Sequence, residues 1–163
     1  MVQSSNTPAI VVHSLAHAVA TLSAAAEAGR SVTLLSAPDA GIYAGPGWFG
    51  ALVAAARDAE PAAQCTALLD CGDDAGAAQA AIRAGIEGVI FTGRADVAER
   101  LGDIAGQRGV RLLTVRPDAT LDLAAQFLAS PEMLRRRCGE VLRYKSGRRT
   151  IRPAGSRPAG AGE

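Results

Sequence analysis

Cys65-Thr-Ala-Leu-Leu-Asp70-Cys71-Gly72-Asp73-Asp74, followed by the small-residue run Ala77–Ala84 and by Gly88-Val-Ile-Phe-Thr92-Gly93, decides the fold. An apolar strand ends in Asp70-Cys71-Gly72, two acids follow, an Ala-rich helix leads into Gly85, and a second short apolar strand ends in Thr92-Gly93. Strand–helix–strand of this length is the parallel crossover unit, and chemistry in such folds gathers at the carboxyl ends of the strands. The two strand ends therefore mark the expected working face.

Outward from this unit the same alternation continues. Ala9–His13 reads as a strand, Ser14 as the N-cap of a helix through Ala28, and Gly29 as its left-handed stop. Leu15, Val19, Leu22 and Ala26 give that helix one apolar stripe. Ser31–Leu35 is a second strand, followed by a loop and a helix from about Trp48 to Asp58. A fourth helix spans about Ala95–Gln107, and a fifth strand Val110–Val115 ends at Arg116-Pro117. The strands are short apolar runs rather than strict alternators, as expected when both sheet faces are covered. The fold class is therefore α/β, with about five parallel strands alternating with helices. Either a partial TIM-barrel-like or a Rossmann-like open sheet satisfies the pattern, since periodicity does not order the strands.

Four segments follow: a flexible N-terminus at 1–8, the α/β domain at 9–118, a helical extension at 119–145 and a basic tail at 146–163. Within the extension, Leu121–Leu128 and Pro131–Tyr144 read as helices. The tail is rich in Gly, Pro, Arg and Ser with almost nothing apolar to bury, so it is expected to be disordered. The net charge of +1 conceals an acidic body (−5 over residues 1–130) and a basic end (+6 over 131–163). No nucleic-acid motif accompanies the arginines and only Tyr144 could stack on a base, so a solvated tail is expected rather than a nucleic-acid partner. No apolar run is long enough for a membrane span, and Met1–Pro8 does not read as a signal peptide, so a protein outside the secretory route is expected. Three cysteines without metal-type spacing fit a reduced, cytoplasmic protein.

The candidate site residues lie on one rim. Asp70 is the candidate acid or base, with His13 at the end of the first strand as a possible partner. Asp39, Cys71, Thr92, Gly93 and Arg94 are candidate ligand-binding residues: Thr92-Gly93-Arg94 offers backbone amides and a cation to an anion, and Arg116 adds a second cation. Asp73 or Asp74 caps the following helix, Trp48 and Phe49 pack the second helix, and His17 is expected on a helix surface.

Ser36-Ala-Pro-Asp-Ala-Gly-Ile-Tyr43-Ala44-Gly45, Leu68-Leu69-Asp70-Cys71-Gly72 and Ala80-Ala81-Ile82-Arg83-Ala84-Gly85-Ile86-Glu87-Gly88 together resemble class II fructose-bisphosphate aldolases over roughly residues 9–115, about the first five βα units of that barrel. In that family a Tyr-Ala-Gly segment follows the second strand and the third strand ends in Asp-His-Gly, whose histidine binds the catalytic divalent metal beside a proton-handling aspartate. The resemblance gives Asp70 the proton-handling position and puts Cys71 at the metal-ligand position. Thiolate can hold zinc, but the family's other ligands lie on later strands that have no counterpart in this chain. The sole lysine, Lys145, lies in the basic segment, which leaves no Schiff-base lysine in the body.

What the resemblance implies is thus a noncatalytic or regulatory module binding a small anionic ligand. Two alternatives remain: a lyase with Asp70 as acid/base and Cys71 as a metal ligand between subunits, or an interaction protein working through its open sheet and basic tail. The cofactor, if any, is not readable. Five barrel units leave an open apolar face, which predicts a homodimer or other homo-oligomer.

Overall fold

The computed structural model describes residues 7–143. Strands β1 (Ala9–Val12), β2 (Val32–Ser36), β3 (Cys65–Asp70), β4 (Gly88–Ile90) and β5 (Arg111–Leu113) are joined by helices α1 (Leu15–Ala28), α2 and α3 (Ala40–Tyr43, Gly45–Ala59), α4 (Ala75–Arg83) and α5 (Ala95–Gln107). The local signals act as read. Ser14 accepts from His17 N–H, Gly29 takes the left-handed cap at φ 60°, and Asp74 accepts from Ala77 N–H to start α4. The second helix differs. It begins at Gly45, earlier than the aromatic pair suggested, because Pro46 is tolerated in a first turn.

All pairings are parallel, and the order β5-β4-β3-β2-β1-β6 runs monotonically through the first five strands. Right-handed crossovers in an unreversed order place every helix on one side. That side carries Val32, Leu34, Leu69, Val89 and Phe91, packed against Leu22, Phe49, Ile82, Leu101 and Leu134 of the helices. The opposite side is a smaller cluster of Ala9, Val11, Leu35, Leu68 and Ile90, against which Ala37 and Leu113 pack. The architecture is the open, barrel-like alternative, and the doubly wound one is excluded because helices cover a single face.

Of the two helices expected after residue 119, the second forms and the first does not. In place of a helix at 121–128 the chain forms β6 (Leu121–Asp122) and a 3-10 turn at Ala124–Gln126. β6 adds to the free edge of β1, with Ile10 opposite Leu121 and Val11 opposite Asp122. Thr120 N–H donates to Ala9 O and Ala9 N–H to Thr120 Oγ1. A segment with two ladder positions leaves no periodicity to read, and its strand state follows from the unpaired edge of β1. α6 (Pro131–Arg143) then packs on α1 through Leu134, Cys138 and Leu142, spaced four apart, and Arg30 Nη1 donates to Leu142 O at its end. The expectations for the tail at 146–163, and for residues 1–6 of the N-terminus, fall outside the described residues. Among the described residues no helix is long and apolar enough to cross a membrane.

Candidate functional site

The pleat decides what β3 presents. Successive residues point to opposite faces, so Thr66, Leu68 and Asp70 face the inner side while Ala67, Leu69 and Cys71 join the helix-side core. Asp70 and Cys71, adjacent in sequence, therefore work on different faces.

Asp70 is 3% exposed. Its Oδ1 accepts from Gly72 N–H (2.8 Å) and Asp39 N–H (3.3 Å), and its Oδ2 pairs with Arg116 Nη1 (2.5 Å). Arg116 arrives from the connection after β5 and also donates through Nη2 to Ser36 O (2.8 Å). Ser36 Oγ accepts from Asp70 N–H and donates to Ala37 O. The arginine thus clamps the ends of β2 and β3, and both carboxylate oxygens of Asp70 are engaged. A buried carboxylate is tolerated only with such a partner and such donors.

Two close approaches bring the β2–α2 loop onto the end of β3. A Cβ at Gly41 would collide with Cys71 Sγ, and one at Gly72 would collide with Asp39 Oδ1. Asp39 holds a left-handed conformation (φ 59°), which Asp accepts more readily than most residues. Cys71 is fully buried. Burial, with the charges of Asp70 and Asp74 behind it, pushes its thiol up to about 12, so it is neutral near neutral pH.

At the end of β4, Thr92 N–H is spent on Gly72 O (2.7 Å), and Gly93 lies where any side chain would strike the Phe91 ring. Arg94 precedes α5, whose first turn has no side-chain cap, but its guanidinium is bonded to both oxygens of Asp96 (3.0 and 2.9 Å). Both side chains are exposed, and such pairs stabilise little.

His13 does not meet Asp70. Its Nε2 lies 2.7 Å from Asp122 Oδ1, which also accepts from Ala124 N–H. Burial alone would raise the Asp122 carboxyl, but the Ala124 N–H and His13 outweigh it and hold it below the usual carboxylate range. His17 is fully buried rather than on a helix surface. Its Nδ1 accepts His13 N–H (3.2 Å), so its proton sits on Nε2, and its ring stands edge-on to Phe127. Desolvation lowers its pKa and keeps it neutral. Among the described residues Nε2 makes no hydrogen bond of standard geometry, and the Gln126 backbone beside the ring opposes part of the lowering.

The rim thus separates into three parts: the Asp70–Arg116–Ser36 clamp with Asp39, the His13–Asp122 pair, and Arg94–Asp96 beside Thr92 and Gly93. Sequence reasoning missed Asp122, because its segment reads as a helix, and Ser36 as a partner of Asp70. It named Arg116 only as a rim cation. The divalent metal that the aldolase resemblance implies does not fit these residues. Cys71 faces the helix layer, away from the side that Asp70 faces, and among the described residues no group of three His, Cys, Asp or Glu side chains is arranged to hold a cation.

No family model matches the chain, and no curated protein matches its sequence. Among solved structures it is similar to a putative fructose-1,6-bisphosphate aldolase from Coccidioides immitis, at 21% identity and a TM-score of 0.55 over 65% of this chain. The chain spans only about two fifths of that protein (39%). At this identity the likeness concerns the fold: this chain has a partial aldolase-like fold.

Proposed function

We propose that this domain binds rather than transforms its ligand, and that the ligand is a small anionic molecule. One observation carries the first half: the Asp70 carboxylate, the residue at the proton-handling position, has both oxygens engaged by Arg116 and two backbone N–H groups. A general base needs an oxygen within reach of the proton it takes, and the Asp70 carboxylate, 3% exposed with Arg116 on Oδ2, is out of a ligand's reach unless the ends of β2 and β3 move apart. The neutral thiol of Cys71 offers no nucleophile beside it. The scaffold then serves as a rigid frame for binding, consistent with the rule that function resides in sites rather than folds.

The test pairs turnover with equilibrium binding on the full chain. Fructose 1,6-bisphosphate is supplied with and without added zinc, and inorganic phosphate is titrated calorimetrically. No cleavage together with saturable phosphate binding is the expected result. Cleavage that disappears in Asp70→Asn would overturn the reading. A second, enzymatic reading is favoured by the His13–Asp122 pair alone, since an imidazole oriented by a carboxylate is the usual form of a general base. Cleavage lost in His13→Gln but kept in Asp70→Asn would select it.

A further inference from the structure

The end of the sheet opposite the rim holds a cavity of about 390 Å³ lined by Thr7, Ser31, Thr33, Gln64, Thr66 and Arg111, among others. The register explains how it forms. Thr33 and Thr66 are paired neighbours on the inner face, one level below Leu35 and Leu68. Leu68, Gly88 and Arg111 are aligned across β3, β4 and β5, so Arg111 also faces inward. On the inner face of β4 at that level stands Gly88, where a Cβ would strike Leu68. No side chain therefore separates Arg111 from β3. In a closed barrel this layer is filled by neighbouring strands; with the sheet open between β5 and β6 it is accessible.

The chemistry of the cavity is one-sided. Among the described residues Arg111 is the only charged one in its lining. Among the described residues no hydrogen bond or ion pair engages the Arg111 guanidinium. Thr33 Oγ1 and Thr66 Oγ1 lie 3.2 Å apart, and whichever hydroxyl donates, the proton of the other is left over. Ser31 Oγ donates to Gln64 Oε1, which leaves the Gln64 amide N–H donors unspent among the described residues. Glu87, just before β4, is committed to Arg57 Nη2 and Ala67 N–H. A guanidinium, a hydroxyl and an amide thus line one space, with no carboxylate among its described lining residues. By contrast, both rim cations are already paired with aspartates.

The geometry points to this cavity as the anion site: it binds the carboxylate or phosphate of a small polar metabolite through Arg111, assisted by the Thr33–Thr66 pair and Gln64. The fork of an arginine matches either oxyanion, and the volume falls within the range of small-ligand pockets. This assignment rests on the reading of the domain as an anion-binding module and specifies where that module binds.

The experiment is a titration of the full-length, isotope-labelled chain with inorganic phosphate and, separately, with malonate, followed by amide resonances. The expected result is a shift at Thr33, Thr66 and Arg111, with affinity falling about tenfold or more in Arg111→Gln, as for loss of a charge-assisted bond. Thr66→Val weakens binding in the same direction, and Arg100→Gln, at an exposed position of α5, leaves it unchanged. The stronger of the two probes identifies the oxyanion class. Shifts at 93–96 that vanish in Arg94→Gln would overturn this site while sparing the binding reading. No saturable shift with either probe would overturn both.

Discussion

Replacing Arg116 by Met keeps most of the aliphatic stem and removes the guanidinium from a carboxylate that is 3% exposed. Asp70 would then retain only the N–H groups of Gly72 and Asp39, and Ser36 O would lose its Arg116 donor. Breaking a buried pair from one side costs about 3–5 kcal/mol, because the remaining charge is stranded. The two backbone donors persist and the Arg116 side chain is 24% exposed, so water can reach the vacated place. The lower end, ~3 kcal/mol, is therefore expected. For a chain of this length that corresponds to a fall of about 10 °C in Tm. Asp70→Asn should cost less, about 1–2 kcal/mol, because a partly exposed guanidinium can turn to solvent while an amide oxygen still accepts from Gly72. Adding Asp70→Asn to Arg116→Met should recover part of the loss. Urea denaturation of the four proteins, compared at constant m-value, measures the cycle. If Arg116→Met lay within about 1 kcal/mol of the parent and Asp70→Asn cost more, the clamp would not be what neutralises Asp70 and the argument against its acid–base role would fall.

Three other outcomes follow from the geometry. His17 has a lowered pKa in the fold, so the unfolded chain binds the extra proton first. Its contribution is complete above its ordinary value of 6.5 and is lost as pH falls below it, by up to about 1.4 kcal/mol per pH unit until the folded pKa is passed. His17→Gln should flatten the urea midpoint between pH 6.5 and 5, at about those values, whereas the Asp122 contribution, whose pKa is also lowered, is lost only in stronger acid. Gly41→Ala should destabilise by about 1–3 kcal/mol through overpacking against Cys71 Sγ, and Cys71→Ala in the same chain should return part of it in thermal melts. Thiol titration of the native protein at mildly alkaline pH should modify Cys65 alone, with Cys71 and Cys138 reacting only in denaturant, since both are buried with raised thiol pKa values. Fast native labelling of Cys71 would contradict its placement in the helix-side core.

Local chemistry was legible wherever a short stretch of chain decides the outcome. Ser14, Gly29 and Asp74 cap their helices because a side-chain oxygen or a left-handed glycine acts within one turn. Five parallel strands follow from short apolar runs alternating with helix-period segments, and the aldolase-like resemblance follows from the order of those units. Contacts across the sheet were not legible. The bond from Arg116 to Asp70 spans 46 positions and that from His13 to Asp122 spans 109, and no local pattern encodes such distances. β6 exists only because the edge of β1 is free to pair with it. The pleat turned Asp70 and Cys71, neighbours in every sequence motif, toward opposite faces, since side chains alternate along an extended strand. Likewise Arg111 reads as one more arginine in a strand. It becomes the cation of a cavity only because the register sets Gly88 beside it and leaves the inner layer of the sheet open.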